Sequence, residues 1–337
     1  MKKLIVLVAA ALLVFSGCTA AKVYKVGNAS LTSFSAAAAT AEKAGKVQVN
    51  TDMASVVVDK DGKVVSVALD IAQNTGTFDV KGALTFDPAT AKTLTKKEKG
   101  ADYGMASKSG IKKEWFEQAA AFEKWCVGKT SEQIKALAVD AEGVTTNADL
   151  KTSVTIGVSE FVSVVVKAMA NAVEVKSVAK VGTASITEIS ATAAVAATAT
   201  AAAKVGKVQT DVYYATLSLD KSGKILAIKL DVAQNKGTFN IDGTLAFDPA
   251  TQAVKTKLEK GADYGMAGSS GIKKEWFEQA AAFEKWCIGK TAVEVKALAV
   301  DAEGVTTNAD LKTSVTIGVN EFVAVVVKAA AAAVEVK

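Results

Sequence analysis

An α+β fold in two tandem homologous domains, each an antiparallel sheet packed with helices, is predicted by three observations. The chain aligns with itself along most of its length, each copy opens on strand-and-turn patterns, and each closes on segments of helical spacing. Gly-Ala-Asp-Tyr-Gly-Met at 100–105 returns at 261–266, and the block Gly110 to Lys129 returns almost unchanged at Gly271 to Lys290. The copies are expected to span 23–176 and 177–337, each large enough to bury its own core. The join near Glu174-Val175-Lys176-Ser177 carries neither proline nor glycine. A short linker and close packing of the two copies follow.

The elements take the same order in each copy. Val56 to Val67 reads as two strands around an Asp-Gly turn, and Leu217 to Ile225 repeats the pattern around Ser222-Gly223. The alanine-rich stretches Ser35 to Ala44 and Ser190 to Ala203 are compatible with a short helix or an extended edge, and their unequal lengths suggest a surface position. Lys112 to Cys126 places Trp115, Ala119, Phe122 and Cys126 three and four residues apart, the spacing of an amphipathic helix. Ser131 to Leu137 reads as a short helix capped by Thr130 or Ser131. Ser159 to Val173 and Asn320 to Val334 are helical in pattern and rich in valine. Lysine and glutamate interrupt both, so neither fits a membrane span.

Composition excludes several classes of function. The chain has 337 residues, no histidine and a net charge of +5. That excess is too small and too scattered for nucleic-acid binding. Every basic residue is lysine, so the bidentate phosphate grip that arginine provides is absent. No glycine fingerprint for a dinucleotide and no metal-ligand cluster is present, so a self-contained dehydrogenase is not expected. Cys126 and Cys287 occupy equivalent positions in Glu-Lys-Trp-Cys at the end of an amphipathic segment, where cysteine behaves as a small buried hydrophobe.

The first residues predict an address. Met1-Lys2-Lys3 precedes an apolar run, Leu4 to Phe15, which reads as a signal peptide over 1–17. Phe15-Ser16-Gly17-Cys18 looks like a bacterial lipobox, making Cys18 the lipidation residue and 18–22 a lipidated tether. The mature protein is then expected to be a membrane-anchored lipoprotein at the cell surface.

The most constant stretch is Asp149-Leu150-Lys151-Thr152-Ser153-Val154-Thr155-Ile156, repeated without change from Asp310 to Ile317. It resembles the acceptor sequence of bacterial flavin transferases, Asp-x-x-[Ser/Thr]-[Gly/Ser]-x-Thr. Ser153-Val154 and Ser314-Val315 stand where related acceptors commonly carry glycine-alanine. On that resemblance Thr155 and Thr316 each take FMN through a phosphoester bond, two per chain. Asp149 and Asp310 belong to the sequence that the transferase reads, with Thr152, Ser153, Thr313 and Ser314 beside the phosphate. A β-branched strand after a turn is the structural alternative for Thr-Ser-Val-Thr-Ile.

The succession Gly-Ala-Asp-Tyr-Gly-Met, Gly-Ile-Lys-Lys-Glu-Trp-Phe-Glu-Gln-Ala and Trp-Cys-[Val/Ile]-Gly-Lys-Thr is similar to the two-domain flavin-binding lipoproteins of Gram-positive extracellular electron transfer. The resemblance covers nearly the whole mature chain. Asp102 and Asp263 are themselves read as caps or braces of the Asp-Tyr-Gly-Met loop. The resemblance implies pockets built from Tyr103, Met105, Trp115 and Gln118 in one copy and Tyr264, Met266, Trp276 and Gln279 in the other. It further implies an electron carrier rather than a stand-alone enzyme. Its partners would be the flavin transferase, a quinone-linked or ferredoxin-linked membrane donor and an extracellular acceptor. A cofactor-free surface lipoprotein with duplicated ligand- or partner-binding modules is the alternative.

Overall fold

The computed structural model describes residues 22–336; the expected leader, Cys18 and most of the tether lie outside the described residues. The first half runs β1 (Val23–Ala37), β2 (Gly45–Val58), β3 (Val64–Phe78), α1 (Lys96–Lys99), a 3-10 turn (Gly100–Tyr103), α2 (Trp115–Cys126), α3 (Ser131–Lys135), α4 (Ser159–Ala170) and β4 (Val173–Lys176). The second repeats it as β5 (Lys180–Thr192), β6 (Gly206–Leu219), β7 (Ile225–Phe239), α5 (Lys257–Lys260), a 3-10 turn (Gly261–Tyr264), α6 (Trp276–Cys287), α7 (Ala292–Lys296), α8 (Asn320–Ala331) and β8 (Val334–Glu335). Each half holds a four-stranded antiparallel sheet, ordered β3-β2-β1-β4 and β7-β6-β5-β8. The fold is therefore α+β, with two sheets that each carry helices.

The hairpin between β2 and β3 closes at the expected Asp-Gly turn. The Asp59 carboxylate accepts from the backbone N–H of Asp61 and of Lys63, both at 2.9 Å. Gly62 supplies the left-handed φ of +76° that an L side chain resists. Thr130 caps α3 through a reciprocal pair with Gln133, as Thr291 caps α7 with Glu294.

Strand β2 explains the two-sided architecture. Ala54, Val56 and Val58 face the helices and join Trp115, Phe122, Phe161 and Val165 in one core. The alternate residues Val47, Val49 and Met53 face the other half, where they meet Val208, Phe239, Val212 and Tyr214. A strand covered on both faces loses the polar alternation of a half-exposed one, hence the run Val56-Val57-Val58. The two sheets lie back to back, with helices on both outer faces. Phe78 and Phe239 stack at the contact with centroids 3.9 Å apart and planes 2° from parallel. Beside them Gly76 lets the sheets close, since a Cβ there would meet the Val208 side chain. Lys167 of α4 bridges to Glu259, and Lys328 of α8 to Glu98, so one ion pair from each half crosses the contact.

The alanine-rich stretches take the extended alternative, becoming irregular beyond their strand ends, and lie largely at the surface, with single residues anchored to the other half. The N–H of Ala39 donates to the Gly243 carbonyl at 2.8 Å and that of Ala194 to the Gly82 carbonyl at 2.9 Å, clipping each half to the other's hairpin end. The valine-rich tail of the first half leaves its helix after Ala170 and returns as β4, where Val175 pairs with Tyr24 and is buried between the sheets. That burial outweighs continued helical propensity. Gly27 of β1 admits α4 directly above it, because a Cβ would collide with the Ala168 carbonyl.

The Phe78–Phe239 stack has a measurable weight. Phe78→Ala is expected to cost about 3–5 kcal/mol in denaturant unfolding, with the remaining contacts between the sheets left in place.

Candidate functional site

In the first half the site forms where the loop after α1, the first turn of α2 and the loop before α4 converge above the helix-facing side of the sheet. Three buried side chains, Leu150, Val154 and Val158, lie four residues apart and peg the loop that carries Thr155 into the core. Asp149, Thr152 and Thr155 are thereby left exposed, with Ser153 half-buried. Val154, at the place where related acceptors carry alanine, is one of those pegs. Residues 147–156 are turns and irregular backbone rather than a strand, which removes the β-strand alternative for Thr155. The second loop is built alike on Leu311, Val315 and Val319, with Asp310, Thr313 and Thr316 exposed and Ser314 half-buried.

Gln118 draws the expected residues together. It is fully buried in the first helical turn of α2. Its Oε1 accepts from the backbone N–H of Thr155 at 2.8 Å and from the Thr155 hydroxyl at 3.3 Å. Its Nε2 donates to the Lys113 carbonyl at 3.2 Å and Ser109 Oγ at 3.3 Å, and reaches Met105 Sδ at 3.6 Å. One amide thus links acceptor threonine, helix start and Met105 loop. Gln279 does the same for Thr316, Lys274, Ser270 and Met266.

Beside Thr155 lies a cleft of about 330 Å³ lined by Met105, Trp115, Ile156, Phe161, Asn50, Gln73, Lys96, Asp52 and Glu160 among others. Trp115 is 2% exposed and packs edge-on against Phe161 at 5.9 Å, so it is a core anchor that also walls the cleft. Tyr103 is half-buried, and Lys96 Nζ stands 5.2 Å from its ring centroid and 5.4 Å from that of Trp115. In the second half Lys257 is placed likewise over Tyr264 and Trp276.

The loop's brace is a correction. Asp102 and Asp263 are exposed. Glu114 takes the role, accepting from the N–H groups of Met105 at 2.9 Å and Ala106 at 3.0 Å while it caps α2 with Glu117. Glu275 repeats this for Met266 and Ala267. Its signal was the Glu-x-x-Glu spacing at the helix start, a capping box with an unusual first residue.

Asp52 is the other residue that sequence reasoning missed. Burial pushes its carboxyl up to about 7; Lys96 pulls it down and Glu160 adds to the rise. Its position, an acid two residues before the largely apolar run that begins at Ala54, was the available clue. Cys126 and Cys287 are buried and free, and burial raises each thiol to about 12, which suits packing rather than reactivity.

Among the described residues no helix is long and apolar enough to cross a membrane, and no group of three or more acids, cysteines or histidines could hold a metal ion. No family model, curated protein or solved structure matches the chain.

Two outcomes follow from this geometry. Gln118→Leu should lower stability by about 1–3 kcal/mol through its stranded partners and speed hydrogen exchange at the Thr155 amide. Between pH 3.8 and about 7 the folded state keeps a proton on Asp52 that the unfolded chain releases, so stability falls as pH rises through that window. Asp52→Asn should remove that fall, worth as much as about 4 kcal/mol, in denaturation curves recorded across pH.

Proposed function

We propose that the protein is a membrane-anchored, cell-surface electron carrier that bears FMN covalently on Thr155 and Thr316. The observation that carries this reading is the placement of each threonine hydroxyl, exposed and hydrogen-bonded to a buried glutamine, in a loop whose other side chains fix it. A transferase needs an accessible hydroxyl. FAD would be cleaved at its pyrophosphate, the threonine oxygen would bond to the FMN phosphorus, AMP would leave, and the hydroxyl proton would be released.

The residues fit the group. A flat conjugated ring needs apolar walls and a few polar partners at its edge. Met105, Trp115 and Ile156 offer the walls; Asn50, Gln73 and Lys96 offer the partners. The cleft volume of about 330 Å³ falls in the ordinary range for ligand sites. In the second half Asp211 Oδ1 is buried without a hydrogen-bond partner, an acceptor available to a ring N–H. When bound, FMN would supply the redox chemistry, and the chain would supply position and field. The covalent tether makes up for a chain without arginine, since it replaces the phosphate grip and holds the ring at high effective concentration.

The flavin transferase, a quinone-linked or ferredoxin-linked donor and an extracellular acceptor belong to this reading as partners, and Cys18 as its lipid anchor. Intact-mass measurement of protein made in cells that possess the transferase should find one FMN moiety per half. One should be lost in Thr155→Ala and the other in Thr316→Ala. A chain of unmodified mass would favour the cofactor-free binding module instead.

A further inference from the structure

The two halves differ in the residues on the sheet face beneath their threonine loops. Register identifies the equivalents. In the first half Asp52 pairs with Leu31 and Ile71, and Asn50 with Ser33 and Gln73. In the second Tyr213 pairs with Ile186 and Val232, and Asp211 with Glu188 and Gln234. Tyr213 therefore stands in place of Asp52, Asp211 in place of Asn50 and Glu188 in place of Ser33. Lys96, Glu160, Met105 and Trp115 keep their counterparts Lys257, Glu321, Met266 and Trp276.

These exchanges alter shape and charge together. The Tyr213 ring packs edge-on to Phe322 at 6.3 Å, and its hydroxyl reaches Glu188 Oε2 at 3.4 Å. The equivalent Phe161 and Asp52 line the open cleft of the first half, so the tyrosine ring fills space that is left free there. Three carboxyl groups, Glu188, Asp211 and Glu321, surround Tyr213, and burial with this mutual repulsion raises Glu188 and Tyr213. The first cleft has only Asp52 and Glu160. The added cation on the same sheet face, Lys236, pairs one step further out with Gln209 and is exposed.

On the reading that each half carries FMN, we propose that the clefts are not equivalent: the second, walled by Tyr213 and ringed by Glu188, Asp211 and Glu321, holds its flavin in the more negative field and makes it the stronger reductant, while the first holds the same ring in a wider cleft floored by Asp52. Nearby negative charge opposes each added electron.

Singly loaded full-length chains test this. Thr316→Ala leaves FMN on the first half and Thr155→Ala on the second, and spectroelectrochemical titration reads each potential. The second should be the more negative by at least tenfold in equilibrium constant, about 30 mV for a two-electron couple. Glu188→Ser and Asp211→Asn, which install the first half's own residues without touching the core, should narrow that gap. Equal potentials, a reversed order or a gap indifferent to both substitutions would overturn the proposal while leaving the carrier reading intact. Should neither threonine prove modified, the carrier reading fails, and the difference between the clefts is read with free riboflavin on the unmodified chain. A first site weakened at least tenfold by Asp52→Tyr, and a weaker second one tightened at least tenfold by Tyr213→Asp, would support the difference; two equal sites, or none, would overturn it.

Discussion

Each half depends on one buried amide. Gln118 and Gln279 sit fully inside the protein, where an unpaired amide would be costly, and each meets its needs by tying three chain segments together. Its acceptor end fixes the threonine loop; its donor end fixes the helix start and the Met105 or Met266 loop. Glutamate at the helix cap completes the frame by holding two N–H groups of that same loop. The site is thus rigid where it meets the core and open where the threonine hydroxyl emerges. Such an arrangement suits a group attached from outside to a preformed cradle.

The contact between the sheets imposes a second constraint. Residues alternate along β2 and β6 between the helix side and the partner sheet, so Ala54, Val56 and Val58 of β2 serve one core and Val47, Val49 and Met53 the other, while Asn50 and Asp52 stand as polar residues on the helix side. Gly76, Gly237 and the stacked Phe78–Phe239 pair set how closely the sheets approach. Identity between the copies is greatest where the loops and helices build the site. It is lower along the sheet beneath it, where Tyr213 stands at the position of Asp52. The threonine loops and their glutamine anchors are thus the same in both copies while the sheet below them differs.

Much of this was legible in the letters. The duplication, the Asp-Gly hairpin, the helix from Trp115 to Cys126 and the Thr130 cap each carry a local signal of period or hydrogen-bonding type. Tyr103, Met105, Trp115, Gln118 and Thr155 were singled out by motif and lie together. What could not be read was whatever depended on the other half. The letters left the alanine-rich segments open between helix and extended edge, and inter-half hydrogen bonds at Ala39 and Ala194 decide for the extended form, while Val175 is a strand residue because a second sheet buries it. Glu114 escaped because glutamate is an uncommon cap, and Asp52 because one acid in a strand of mixed polarity has no period of its own.

The back-to-back packing has a consequence for how the molecule can be approached. Both clefts open on the helix-covered sides, and the sheets stand between them, about 10 Å apart at a face-to-face contact. The two threonine sites therefore look away from each other like the ends of a spindle, so the short join between the copies does not bring them side by side.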